Sequence, residues 1–199
     1  KSKKMLKKSW AKKERKEIIA FIAIAIWSWI LICELNLENL DIHNAWRGYS
    51  LTEIINILSR PMNYSDDIVA QEMLSAFTVS KYISLLAWLK SAGVAEALTL
   101  QKIMTCLEVI AISIAGYLLP AIRKKNYSLA ESLTGMILLS LGCTMDYGWG
   151  RWGWEFTGQT YIFPYAIWVF TLVIARNGKL ISAGILQLIG TAIHPIIGL

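Results

Sequence analysis

Two adjacent carboxylates, Asp66 and Asp67, are the first candidates for chemistry, because they lie in NYSDDIVAQE directly before a segment with helical periodicity. One interpretation is a helix cap, in which Ser65 or Asp66 accepts hydrogen bonds from free backbone N–H groups and the acids suit the positive end of the helix. The other is a carboxylate that acts as a general base or holds a divalent metal ion at the outer membrane face. One acid of the pair could cap while the other reacts, so both interpretations stay open, and any metal would be held by this pair.

Two further candidates occur inside apolar runs. Glu108 lies within the run Ile103–Ile122. An acid at the centre of a bilayer costs about 2.5–3.5 kcal/mol even on lower estimates, so we expect Glu108 to face a polar cavity or a cation. His194 precedes Pro195, where the proline loosens the helix and the imidazole could bind a phosphate or relay a proton. A purely structural role fits each residue equally well.

The stretch DYGWGRWGWEFTGQTY combines glycines, tryptophans and one arginine. Arg151 is a candidate anion ligand, and Trp152 offers a stacking face next to glycines that allow close approach of a backbone. The alternative is a shallow interfacial loop without a ligand, because tryptophan is enriched at membrane surfaces. No Walker, GxSxG, HExxH or Rossmann pattern occurs in the chain, so the sequence gives no support to those soluble-enzyme chemistries.

Composition places these residues in a membrane protein. Of 199 residues, 55% are hydrophobic, and long apolar runs nearly free of charge predict helices that span a bilayer. About half of the 20 Lys and Arg precede residue 17, directly before the first apolar run. This position favours a cytoplasmic tail facing anionic lipid over a nucleic-acid-binding arm, and we expect no nucleic-acid partner. The three cysteines have no metal-binding or CxxC spacing.

The predicted fold is an all-α, multi-pass integral membrane protein with a cytoplasmic N-terminus. Its parts are a basic tail (1–17), a first transmembrane helix (18–35), an external loop (36–102) and four further transmembrane helices (103–199). Basic residues occupy every cytoplasmic junction, as the positive-inside rule requires. The last four spans are Ile103–Ile122, Leu129–Met145, Ile162–Ala175 and Leu180–Leu199. Because the chain ends inside an apolar run, we expect it to be the front part of a longer protein.

The external loop is predicted to contain amphipathic helices. Apolar residues return every three or four positions in Leu51–Leu58 and in Ile68–Leu89, and Pro61 lies between the two segments. A second span over Val79–Val94 would contain two lysines and would place the basic residues after Ile122 outside the cell. We therefore interpret this segment as a helix that lies on the membrane surface.

This arrangement resembles the N-terminal part of GT-C-type membrane glycosyltransferases, which use polyprenyl-phosphate sugars. The resemblance rests on SDDIVAQE, on KYISLLAWLKSAGV before the second span, and on the late IHP. It implies that the first external loop carries an acidic catalytic residue, which would be Asp66 or Asp67 acting as a base or beside a metal. It also implies that Arg151 and His194 could contact the lipid phosphate, although no fixed family motif covers them.

Three functions follow from these patterns. The leading one is transfer of a sugar from a polyprenyl-phosphate donor, with Arg151, Trp152, His194 and Glu108 as candidate substrate contacts. The second is a non-catalytic subunit that packs against other membrane subunits through small residues such as Gly135 and Gly142. The third is a transporter, with which Glu108 and a helix broken at Pro195 are compatible.

Overall fold

A computed structural model describes residues 2–35, 37, 51–77, 80–144 and 162–194. These residues form α-helices and short connections, with no strand among them, so the all-α prediction is confirmed for this part of the chain. The helices are α1 (Ser2–Glu34), α2 (Leu51–Ser59), α3 (Ile68–Phe77), α4 (Lys81–Ser91), α5 (Ala97–Arg123), α6 (Leu129–Thr144), α7 (Ile162–Arg176) and α8 (Leu180–Ile193), with a 3₁₀ turn at Pro61–Tyr64 between α2 and α3.

Helix α1 continues through the basic tail, so the tail and the first apolar run form one element of 33 residues. At 1.5 Å per residue it is about 50 Å long, which exceeds the hydrocarbon thickness of a bilayer. Its apolar part, Arg15–Glu34, has a mean hydropathy of 2.0, and only 6% of that window is buried in the protein. The large apolar side chains of Phe21 and Trp29 are exposed, as expected for a surface that lipid covers.

Helix α5 is the centre of the molecule and packs against α1, α2, α4, α6 and α7. Its length of 27 residues and its mean hydropathy of 1.8 allow it to cross a membrane. The core beside it consists of apolar residues from α5 and α7 that interlock at helical spacing. These residues are Val109, Ile112, Ala115, Ile162, Ala166 and Val169.

Among the described helices, α1 and α5 are the two that are long and apolar enough to span a bilayer. Helices α6, α7 and α8 are apolar but have 16, 15 and 14 residues. They rise about 21–24 Å, against about 30 Å of hydrocarbon. The predicted spans at α6 and α8 end at Met145 and Leu199, which lie outside the described residues, so the five-span topology stays a prediction.

Helices α5 and α6 approach each other closely at two glycines. A Cβ atom built on Gly116 would lie 2.6 Å from the Cα atom of Met136, and one built on Gly135 would lie 2.6 Å from the carbonyl oxygen of Gly116. Both contacts are with backbone, so only glycine fits at this crossing. Gly135, which the sequence suggested as a contact with other subunits, is therefore in close contact with α5 of the same chain.

Helices α2, α3 and α4 form a layer over the N-terminal half of α5. The sequence predicted helical structure over Ile68–Leu89 without marking where one helix ends. In the structure α3 ends at Phe77, and Ser80 starts α4 by accepting a hydrogen bond from the N–H of Ile83 (3.4 Å). Leu86 of α4 packs with Leu51 and Ile55 of α2 in one buried cluster. The apolar face of α4 is thus covered by α2. That α4 also lies on the membrane surface stays a prediction.

Candidate functional site

The acidic pair lies in an exposed turn between the 3₁₀ turn and α3. The Asp67 carboxylate accepts hydrogen bonds from the backbone N–H groups of Val69 (2.9 Å) and Ala70 (3.1 Å), so Asp67 caps α3. The carboxylate of Asp66 accepts one hydrogen bond, from the hydroxyl of Ser65 at 3.3 Å. A cap is present, but the prediction of Ser65 or Asp66 as the capping residue is wrong, because Asp67 is one residue closer to the first free N–H groups of α3. The Asp66 carboxylate is therefore not used by the cap.

An open depression surrounds this turn and is lined by residues 63–69. Its walls consist of exposed polar side chains and the start of α3, so a soluble group could reach Asp66 without any movement of a helix. Within the described ranges, no group of three or more His, Cys, Asp or Glu is placed to hold a metal ion. The cap uses one oxygen of Asp67, so the other Asp67 oxygen and the Asp66 carboxylate would be the ligands of a metal, and that site stays a prediction.

Glu108 belongs to a buried polar stripe on α5. Gln101, Thr105 and Glu108 are spaced at i, i+4 and i+7, which places them on one face of the helix. All three are at most 1% exposed. The hydroxyl of Thr52 in α2 donates to the Gln101 side-chain oxygen at 2.6 Å, so the layer above α5 contacts this stripe directly.

Tyr82 of α4 lies within electrostatic range of Glu108. Burial raises the pKa of the Tyr82 phenol, and the negative charge of Glu108 raises it further, so the phenol stays protonated. The ring of Tyr82 also packs on that of Phe163 in α7, with centroids 5.8 Å apart and planes tilted by 54°. Glu108 therefore lies near the junction of α4, α5 and α7, and the polar cavity or cation expected beside it stays a prediction.

The end of α8 is fixed to the start of α4. The hydroxyl of Ser80 donates to the carbonyl of Ile193 at 2.8 Å. His194 is the next residue, and its backbone N–H closes α8 by donating to the carbonyl of Gly190 at 3.0 Å. The imidazole is half-buried, and Pro195 lies outside the described residues. Helix α4 therefore lies near both candidates: its Tyr82 is close to Glu108, and Ser80 at its start is bonded to Ile193, the residue before His194.

Sequence reasoning missed Thr52, Tyr82, Gln101 and Thr105. A signal for the last two was present, because polar residues at i, i+4 and i+7 in an otherwise apolar helix mark one polar face. Arg151 and Trp152 lie outside the described residues, so the structure says nothing of their predicted contacts. No known protein family, curated protein or solved structure matches the chain.

Proposed function

We propose that this chain acts as a GT-C-type membrane glycosyltransferase, which transfers a sugar from a polyprenyl-phosphate donor to an acceptor hydroxyl at the non-cytoplasmic face. The observation that carries the proposal is that the exposed acidic turn and a cluster of basic residues lie at opposite ends of α5. The exposed Asp66 belongs to the layer that packs on the N-terminal half of α5. Basic residues gather at the other end of α5, around Lys125 and Arg176.

The basic end supports one orientation in the membrane. The guanidinium of Arg176 donates to the carbonyl of Ile122, so the turn after α7 meets the turn after α5. Gln101, which contacts the acidic layer, and Ile122 are separated by about 30 Å of helix, the thickness of a hydrocarbon core. Under the positive-inside rule the basic end faces the cytoplasm, and Asp66 then faces the opposite side.

In this proposal Asp66 is the general base and Asp67 holds the turn in place. The acceptor hydroxyl gives its proton to the Asp66 carboxylate while its oxygen bonds to the anomeric carbon of the sugar. The bond between that carbon and the phosphate oxygen breaks, and polyprenyl phosphate leaves with the electron pair. A positioned base contributes about 10²–10⁴-fold to such a step.

The buried residues have a supporting role in the same proposal. Tyr82 of α4 and Glu108 of α5 are both buried, so in this proposal they hold the layer on α5 and do not contact the donor. His194 is half-buried at the end of α8 and is the described candidate for contact with the donor phosphate. Arg151 and Trp152 remain candidates for the same phosphate and sugar.

The acidic pair supplies a matched experiment. Membranes that contain the chain, and that provide the acceptor, are given polyprenyl-phosphate hexoses, hexosamines and pentoses, and the released polyprenyl phosphate is measured. Asp66→Asn should lower release by at least about 100-fold. Asp67→Asn should keep most of it, because asparagine caps a helix as well as aspartate does. Equal losses in the two variants, or release that Asp66→Asn leaves unchanged, contradict the proposal.

A non-catalytic subunit is the second candidate, and the surface of α1 favours it. Phe21 is 74% exposed and Trp29 is 68% exposed, so this helix offers a broad apolar surface to a partner helix as well as to lipid. Under this alternative neither Asp66→Asn nor Asp67→Asn alters turnover. Substitutions on α1, such as Phe21→Ala, would instead change the size of the assembly on a native gel.

A further inference from the structure

A second cavity lies at the basic end of the molecule, far from the acidic turn. It has a volume of about 710 Å³ and is bounded by α1, by the C-terminal part of α5 and by the turn that leads into α6. Lys16 and Lys125 line it from opposite sides, and Glu17 is the acid among its lining residues. Two ammonium groups against one carboxylate favour an anionic occupant.

The turn between α5 and α6 is built so that Lys125 stays at this cavity. The Glu131 carboxylate accepts hydrogen bonds from the backbone N–H of Ser128 (2.8 Å) and from its hydroxyl (3.0 Å), and the Ser128 hydroxyl accepts from the N–H of Glu131 (3.2 Å). This is a capping box that begins α6. Glu131 also forms an ion pair with Lys124, and Lys125 is not part of that pair.

The lining of the cavity also has an apolar part. Ile19 and Ala20 of α1 and Leu129 of α6 belong to it, beside polar residues such as Asn126 and Ser128. On α1 the face that carries Lys16, Ile19 and Ala20 continues one turn later with Ala23 and Ile24, which are half-buried apolar residues. Two lysines together with apolar side chains in one cavity match an amphiphile better than a free anion.

We infer that this cavity binds the phosphate head group of an anionic membrane lipid, with Lys16 and Lys125 on the phosphate and an acyl chain along α1. The site lies at the end of α5 opposite the proposed transferase site, so each can fail without the other. It requires that α1 and α5 enter the membrane. Each lysine near a charged lipid surface strengthens binding about fivefold, and the two together about 25-fold.

The experiment uses the full chain in lipid nanodiscs of phosphatidylcholine with increasing phosphatidylglycerol. Lipid molecules retained by the protein are counted by native mass spectrometry after gentle release. The wild type should retain one phosphatidylglycerol in preference to phosphatidylcholine. Lys16→Gln combined with Lys125→Gln should weaken this retention about 25-fold. The control combines Arg123→Gln with Lys179→Gln, which removes the same charge from the same end outside the cavity lining, and it should retain the lipid.

Three results would overturn the inference. Equal losses in the test and control variants would mean that general surface charge holds the lipid. Absence of any preference for phosphatidylglycerol in the wild type would mean that the cavity takes no anionic head group. Displacement of the lipid by millimolar glycerol phosphate would assign the cavity to a soluble phosphate and not to a lipid.

Discussion

The close crossing of α5 and α6 predicts that a single added methyl group at Gly116 lowers the stability of the fold. In Gly116→Ala the added Cβ would lie 2.6 Å from the Met136 Cα atom and 2.8 Å from the Gly135 carbonyl oxygen, whereas ordinary contact begins at 3.4 Å. These neighbours are backbone atoms, so relief requires the two helices to separate and not a side chain to rotate. Overpacking of this kind costs about 1–3 kcal/mol.

Gly184→Ala is the matched control for this change. Gly184 lies in α8, and a Cβ atom added there meets nothing within 4 Å. Both substitutions gain about 1 kcal/mol of helix propensity, so the difference between them isolates the clash. We expect Gly184→Ala to raise the melting temperature in detergent and Gly116→Ala to fall about 2–12 °C below it. Equal melting temperatures would refute the close crossing of α5 and α6.

Four other substitutions test the contacts around the candidate site. Asp67→Ala should lower the free energy of unfolding by about 1 kcal/mol, because the cap is lost. Asp66→Ala should change it by less than about 0.5 kcal/mol. Chemical denaturation in detergent measures both values. Thr52→Val removes the donor to buried Gln101 and should cost about 1–3 kcal/mol in the same assay. The Ser80 hydroxyl accepts from the N–H of Ile83 in α4 and donates to the carbonyl of Ile193 in α8. Ser80→Ala should therefore speed amide hydrogen exchange at the start of α4 and at the end of α8 together. Faster exchange in α4 alone would contradict the hydrogen bond between the two helices.

Local signals were sufficient for the features that depend on neighbouring residues. A cap before α3 follows from polar residues placed directly before an apolar helical segment, although the sequence assigned it to Ser65 or Asp66 and the structure assigns it to Asp67. The helix at α5 follows from an apolar run that starts at Ile103, and the structure extends it back to Ala97. Such features need no knowledge of how distant segments pack.

The candidate site at Glu108 depends on contacts that no local pattern contains. Tyr82 lies 26 positions before Glu108 in the chain, and the two meet because α4 folds back onto α5. The bond from Ser80 to the end of α8 joins residues 113 positions apart. The break between α3 and α4 was missed for a related reason. Apolar residues keep their helical spacing across Phe77 and Lys81, so periodicity alone does not register the new start at Ser80.

The central claim is that the acidic turn and the basic end face opposite sides of a bilayer, because both the transferase and the lipid site depend on it. Single cysteines at Asn63 and Lys125, in a variant with serine at Cys33, Cys106 and Cys143, would be exposed to a membrane-impermeant maleimide in intact cells. Asn63→Cys should be labelled at once, and Lys125→Cys should be labelled only after the membrane is permeabilised. Labelling of both in intact cells, or of Lys125→Cys alone, would contradict the orientation.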